Sequence, residues 1–429
     1  MIPNIEIAPL SEIKSFQEEK LRELLVYLNE KSPYYHNLFK TKNIAIDSIQ
    51  TLEDLAALPL TTKENLQQHN DAFLCVPKDA IIDYVTTSGT LGDPVTFALT
   101  DNDLERLAYN EAISFACVGV KKEDILQLTT TIDRRFMAGL AYFLGARKLG
   151  AGIIRVGAGI PELQWDSIIK FKPTYLIAVP SFLLKLIEYA TVNGIDLKKS
   201  GIKGAICIGE PLRNQDFSLN ALSKKIKANW DIELYSTYAS TEMSTAFSDC
   251  EMQNGGHHHP ELIITEILDD NNMPVKDGEV GELIITTLGI EAMPLLRFKT
   301  GDMVIAHTEP CGCGRNTMRL GPVVGRKKQM IKYKGTTLYP PALHNILNEF
   351  SAVENFVIEL SHNSIGTDEI CIKIGTNTPT DALLKSIKDH FRAKLRVSPT
   401  IDYLDIEDIR TLQFPKLSRK PVIIIDKRP

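Results

Sequence analysis

The chain has no long apolar run, no block of basic residues and few cysteines for its length, and each shortage closes off a class of protein. No apolar stretch approaches the ~20 residues needed to span a bilayer; the run Tyr175–Leu184 has the length of a buried core segment. The start Met1-Ile-Pro-Asn-Ile-Glu-Ile lacks the basic residues and apolar centre of a secretory leader. With a net charge of −6 and no clustered Lys or Arg, nothing here offers an electrostatic footprint to nucleic acid. Seven cysteines in 429 residues do not make a disulfide scaffold. These shortages predict a cytoplasmic protein with neither nucleic acid nor a membrane as partner.

What the chain does carry is alternation. Its length calls for two or three domains. Residues 1–80 read as helical, with Ser11 capping an amphipathic run through Leu21, Leu24, Leu25 and Leu28. Short apolar strands then alternate with helices. Strands are predicted at Ile125–Leu128, Gly152–Arg155, Tyr175–Ala178, Ala205–Ile208 and Ile232–Tyr235. Helices are predicted near Asp103–Cys117, Phe136–Leu149, Leu163–Phe171, Ser181–Ala190 and Gln215–Ala228. This is the pattern of an α/β fold, a large domain of helix-covered parallel sheets. From Glu261 to Ile305 the pattern turns strand-rich, with Gly278 and Gly281 as turns, which predicts a small β-subdomain over about 245–320. A boundary falls near Gly325-Arg-Lys-Lys328, dividing a domain of residues 1–325 from a compact α+β domain of residues 326–429.

Two groups of residues carry chemistry. Tyr84-Val-Thr-Thr-Ser-Gly-Thr-Leu-Gly-Asp-Pro94 sets Ser88 and Thr90 around Gly89, before a strand at Val95–Leu99. Such a loop offers bare backbone N–H groups and hydroxyls to an anion, although a plain strand-to-strand turn has the same composition. It is not a Walker loop, since no Gly-Lys-Ser/Thr follows. The second group is Cys250, His257, Cys311 and Cys313, three thiols and an imidazole of the kind that hold tetrahedral zinc. His258 and His259 compete with His257 for the nitrogen position, and three adjacent histidines also suit a polar surface run. Cys75, Cys117, Cys207 and Cys371 sit singly in apolar surroundings and read as small buried hydrophobes.

The opening loop resembles the phosphate-binding signature of the adenylate-forming enzymes, the superfamily of acyl-CoA synthetases, adenylation domains and luciferases. Further matches follow in the same order. Gly209-Glu-Pro211 resembles the adenine-flanking turn, and Tyr238-Ala-Ser-Thr-Glu242 the family's Tyr-Gly-x-Thr/Ser-Glu. Arg297-Phe-Lys-Thr-Gly-Asp302 is similar to Tyr-Arg-Thr-Gly-Asp. Gly325–Gly335 resembles the hinge motif, and Pro415-Lys-Leu-Ser-Arg-Lys420 the terminal lysine motif. Leu58–Leu66, Glu291–Arg297 and the cysteine–histidine set look like the phenylacetate-CoA ligase and coenzyme F390 synthetase branch. The zinc spacing of that branch selects His257, and with four protein ligands the zinc would be structural.

The resemblance implies an ATP-dependent, AMP-forming carboxylate–CoA ligase, acting on phenylacetate or a related aromatic acid through an acyl-adenylate. Ser88, Gly89 and Thr90 would hold the β- and γ-phosphates, Glu242 Mg²⁺, and Thr241 the α-phosphate. Gly209, Glu210, Pro211, Tyr238, Ala239 and Ser240 would surround the nucleotide. Asp302 would accept the ribose hydroxyls, with Arg326 nearby. Lys420 would bridge the acid and the α-phosphate, with Lys416 as the alternative lysine, and Lys328 would be the hinge about which a mobile C-terminal domain rotates. Phe136, Ala138 and Tyr142 are the expected pocket for the acid. ATP, Mg²⁺, coenzyme A and structural Zn²⁺ are the implied cofactors, and a homodimer the implied assembly. Other outcomes are an adenylyltransferase of the F390 synthetase type, acyl loading of a carrier protein, and a non-catalytic nucleotide-binding relative. Asp93, Ala239, Lys299 and Arg419 depart from the family's lysine, glycine, arginine and glycine.

Overall fold

A computed structural model describes residues 2–87, 94–333, 336–363, 368–414 and 421–428. The chain divides into two compact units, Met1–Val323 and Val324–Pro429. No helix among the described residues is long and apolar enough to cross a membrane.

In the first unit, α1 (Leu10–Lys31) buries Leu21, Leu24, Leu25 and Leu28 along one stripe, the apolar face its periodicity predicts. Its start differs from expectation. Pro9 takes the cap position and Ser11 lies inside the first turn, where a proline's missing N–H costs nothing. After α2 (Pro33–Thr41) and α3 (Lys63–His69), β1 (Asp83–Thr86) pairs antiparallel with β2 (Thr96–Leu99). α4 (Asp101–Val118) opens on a capping box in which Thr100 and Asp103 satisfy each other's backbone N–H.

The main sheet follows. β3 (Ile125–Leu128), β4 (Gly152–Arg155), β5 (Tyr175–Ala178), β6 (Gly204–Ile208) and β7 (Glu233–Ser240) lie parallel in the order β4-β3-β5-β6-β7. The crossovers are α5 (Met137–Leu149), α6 (Pro161–Phe171), α7 (Pro180–Val192) and α8 (Ala221–Asn229). α8 starts later than its composition predicts. Phe217 adopts φ 61° and Asp216 accepts from the Ser218 N–H, so residues 215–219 turn, and the Asn220 side chain caps the helix instead. α4 and α5 touch backbone to backbone: a Cβ on Gly145 would sit 2.2 Å from Glu111 Cβ, so only glycine permits this approach.

The strand-rich segment does not close a sheet of its own. β8 (Thr245–Ser248) pairs antiparallel with β7, and the sheet runs on through β9 (Gly256–His257), β13 (Arg319–Leu320), β12 (Phe298–His307), β11 (Val280–Thr287) and β10 (Ile263–Leu268). The free edge of β7 is a ready hydrogen-bonding partner, and the tight turn into β8 places the next strand on it.

The second unit has a four-stranded sheet in the order Thr400–Leu404, Asp368–Gly375, Asn355–His362, Ile424–Asp426. Ile358 and Ile372 pack there against Ile387 and Phe391 of the helix Asp381–Leu395, an apolar core of its own.

Candidate active site and a cysteine–histidine corner

The parallel strands end together, and three of the segments singled out in the sequence leave from that edge. Ile208 of β6 is in register with Thr237 of β7, so Gly209-Glu-Pro211 and Tyr238–Glu242 emerge side by side. Ligands of open α/β sheets bind at this carboxyl edge. The loop after β3 leads to the same region. The Arg135 carbonyl accepts from the Thr86 N–H at 3.0 Å, and Ser244 Oγ lies 3.9 Å from Met137 Sδ at the start of α5. Thr87 and Val95, which flank residues 88–93, are bonded to each other by N–H to carbonyl at 3.0 Å. The described neighbours of the opening loop, the start of α5 and the turn bearing Glu242 therefore adjoin. Ser88, Gly89, Thr90 and Asp93 themselves, with Lys416, Arg419 and Lys420, lie outside the described residues.

Tyr238 and Asp302, far apart in sequence, meet directly: the phenol donates to Asp302 Oδ2 at 2.7 Å. Asp302 is buried on β12, and its own N–H donates to Thr300 Oγ1. Thr241 and Glu242 form the tip of the β7–β8 turn and are half-buried. Ser240 Oγ accepts from the Met243 N–H, and Ala239 is exposed. Gly209 takes φ 76°, and Pro211 is exposed. Glu210 is engaged elsewhere, its two oxygens accepting from the Ser181 N–H and hydroxyl at 2.8 Å each, where it secures the first turn of α7. Phe136 and Ala138 are half-buried at the start of α5. Tyr142 is a core residue, packed beside Phe115 at 6.2 Å between ring centres. Arg326 and Lys328 belong to the second unit, both exposed, Lys328 within the short turn Lys327–Gln329.

At the opposite end of β8 lies a second cluster. The ligand atoms of Cys250, His257, Cys311 and Cys313 all fall within 4.8 Å of one another. Cys250 Sγ and Cys311 Sγ are 3.6 Å apart, and Cys313 Sγ is 3.4 Å from His257 Nε2. Tetrahedral zinc with ~2.3 Å bonds to sulfur and ~2.0 Å to nitrogen needs separations of about 3.8 and 3.5 Å, so this donor set fits the ion. His257 Nδ1 pairs with Thr317 Oγ1, and burial holds the imidazole at about 3, in the neutral form that ligates. Burial opposes ionisation of Cys313, but the Arg315 backbone N–H and guanidinium outweigh it and hold the thiol below its ordinary range.

The three adjacent histidines have three different jobs. β9 turns His257 toward the cysteines; His258 bonds the Ile263 carbonyl at 2.6 Å; His259 Nδ1 meets the Glu6 carboxylate at 2.5 Å. None is a surface residue. Glu6 is wholly buried and also receives Arg315 Nε at 2.5 Å, so the chain's first helical turn is tied to the corner by charge. Nothing local in the sequence marks Glu6. Two of the isolated cysteines are also not as expected: Cys117 packs against Cys250 and Cys311, and Cys371 is only half-buried, facing Asp402.

Residues 24–291 match the family described as AMP-binding enzyme, and the chain belongs to it. It is an AMP-forming acid–thiol ligase by class. The phenylacetate-coenzyme A ligase of Thermus thermophilus is 30% identical over 350 residues, covering 80% of this chain and 77% of that protein. That of Aromatoleum evansii is 25% identical over 440 residues, covering 99% and 97%. The fold is shared with 2-hydroxyisobutyryl-CoA ligase in its postadenylation state, at a TM-score of 0.85 and 21% identity over 99% of this chain and 92% of that one.

Proposed function

We propose that this enzyme joins an aromatic or aryl-acetic acid, of the phenylacetate kind, to coenzyme A. The observation that carries the reading is the meeting of Tyr238 with Asp302 beside the Glu242 turn, at the carboxyl edge of the parallel strands. Four of the curated relatives are phenylacetate-coenzyme A ligases by name, which supports the choice of acid and thiol.

In the first half-reaction a carboxylate oxygen attacks the α-phosphorus of ATP and pyrophosphate departs. In the second a thiolate attacks the acyl carbon and AMP departs. Charge builds on the α-phosphate in the first step, so the site needs fixed donors and cations there. Thr241 is the donor on the turn tip, and Glu242 supplies the hard carboxylate oxygen that Mg²⁺ prefers. When bound, that ion offsets the charge of the phosphates. Asp302, oriented by the Tyr238 phenol, accepts the ribose hydroxyls. Ser88, Gly89 and Thr90 are assigned to the β- and γ-phosphates, Lys420 to the α-phosphate and the acid, Arg326 to the nucleotide, and Lys328 to the hinge. Phe136 and Ala138 are assigned to the acid pocket, with Tyr142 behind them in the core. Cys250, His257, Cys311 and Cys313 are assigned to a structural zinc, since their number leaves no position for substrate. A cytoplasmic homodimer completes the reading.

Incubation with ATP, Mg²⁺, CoA and a panel of aryl, aryl-acetyl and short aliphatic acids tests it. The expected result is AMP and pyrophosphate in step with thioester, fastest with an aromatic acid. Release of ADP would exclude the mechanism. AMP left on a phenolic acceptor without any need for CoA would make the protein an adenylyltransferase. A Lys420→Ala variant should lose pyrophosphate release yet still make thioester from supplied acyl-adenylate.

A further inference from the structure

We propose that Arg106, a buried residue of α4 that belongs to none of the motifs, is the positioning residue that sets the Thr241–Glu242 turn for the adenylation step. The inference rests on the roles given above to Thr241 and Glu242.

Arg106 has an unusual set of partners. Nε donates to the Leu288 carbonyl at 2.6 Å, Nη1 to the Ser244 carbonyl at 2.6 Å, and Nη2 to the Leu262 carbonyl at 2.6 Å and Thr245 Oγ1 at 3.1 Å. All four acceptors are neutral, and no carboxylate is among them. The charges of Asp103 and Glu261 lie near enough to act on it, but neither takes a hydrogen bond from the fork. Burying a guanidinium is costly, so an apolar residue would serve the core better if filling space were the only need. A planar fork with five N–H donors is what can grip carbonyls from three separate segments at once.

One of those carbonyls belongs to the residue that closes the catalytic turn. Ser244 adopts φ 47°, a left-handed conformation that strains a non-glycine residue and persists only where surroundings enforce it. Inside the turn, the Ser244 N–H donates to the Ser240 carbonyl, Ser244 Oγ to the Thr241 carbonyl, and the Met243 N–H to Ser240 Oγ. Outside it, Arg106 takes the Ser244 carbonyl and the Thr245 hydroxyl. One helical turn further along α4, Asn110 Oδ1 accepts from the Ala246 N–H at 3.0 Å. Met243, wholly buried, anchors the middle of the turn. With both sides held, the tip carrying Thr241 and Glu242 has little freedom to move.

The rival explanation is that Arg106 only ties the start of β10 and the end of β11 to α4. The two roles separate by half-reaction. Metal and α-phosphate matter when pyrophosphate leaves, and much less when a thiol attacks an acyl-adenylate already made. The test compares wild type with Arg106→Lys, which keeps the charge and loses the fork, and with Thr245→Val, which deletes one acceptor. Pyrophosphate exchange against Mg²⁺ concentration, MgATP affinity by calorimetry, thioester formation from supplied acyl-adenylate, and the unfolding midpoint are measured for each. For Arg106→Lys we expect exchange to fall about 100-fold, the size that a misplacement of ~1 Å produces, with weaker MgATP binding and a higher Mg²⁺ requirement. Thioester formation from the adenylate should stay within about threefold, the margin left to a residue that does not touch it. Thr245→Val should shift the same quantities the same way by a few-fold. Exchange, Mg²⁺ requirement and MgATP affinity unchanged per folded molecule, with only a lower midpoint, would overturn the proposal. Should Arg106→Lys fail to fold, the same comparison is decided by Thr245→Val. A wild type that forms no acyl-adenylate with any acid would overturn the functional reading first and this inference with it.

Discussion

The two ends of β8 are held by opposite chemistries. At its start, the turn bearing Thr241 and Glu242 is gripped by Arg106 and Asn110 through neutral carbonyl, hydroxyl and amide groups. At its end, Cys250 opens a corner of thiols, imidazoles, Glu6 and Arg315, where charge meets charge. Four residues of buried strand separate the two. The difference is instructive. The turn is gripped by a cation through uncharged acceptors, so the fork of Arg106 does not engage the Glu242 carboxylate. The corner adds a buried ion pair, Glu6 with Arg315, to its thiols and imidazoles.

Breaking the corner should give the largest effect on stability and the smallest on chemistry. Cys311→Ser, or removal of the metal by a chelator, should destabilise the enzyme by about 4–5 kcal/mol, the range reached when a structural metal is lost. Activity per folded molecule should be unchanged, as read by denaturant unfolding beside AMP release. A matched loss of adenylation in the molecules that remain folded would erase the contrast. Next in size, Glu6→Gln strands Arg315 beside Cys313. A cost of about 3 kcal/mol is expected from breaking a buried pair. Metal affinity should fall about tenfold, the usual penalty for losing a group that orients a ligand, and competition with a chromogenic chelator checks it.

At the other end, the proton held on α4 can be probed by pH. Burial raises Glu111, the residue after Asn110, to about 8, so the folded protein keeps a proton that the unfolded chain releases near 4.5. Stability should therefore fall as pH rises from 6 to 8, by up to about 1.4 kcal/mol per unit, and level off above. Below pH 6, Asp249, raised to about 6 by burial, adds a slope of the same sign. Glu111→Gln should flatten the 6–8 window; an unaltered slope would show that Glu111 ionises normally. The smallest effect belongs to Tyr238→Phe. Losing one hydrogen bond to Asp302 should weaken ATP binding by about 1 kcal/mol, roughly fivefold, with little change in the unfolding midpoint. An affinity equal to wild type would remove the phenol from the site.

Much of the scaffold was legible because parallel strands are short apolar runs between turn residues. Ile125–Leu128, Gly152–Arg155 and Tyr175–Ala178 begin and end where composition places them. Boundaries failed where a side chain competes with the helix, as at Asp216 and Asn220, or where proline starts it, as at Pro9. The motif segments were legible, but the residues that support them were not. Arg106 lies 138 residues from Ser244 and 182 from Leu288, and Glu6 lies 309 from Arg315, so no window of sequence contains both members of any of these pairs.

By itself the order of residues determined the class of fold and the residue types that chemistry requires, since periodicity and motif spacing are local properties. Tertiary structure alone decided what His258 and His259 do instead, that Cys117 joins the cysteines, and that Glu210 serves a helix end. It also decided that strands expected to stand apart extend the parallel sheet. The physical reason is common to all of these. Desolvation makes a buried polar group depend on whichever partner the fold brings within about 3 Å, and that partner is chosen by packing across hundreds of residues.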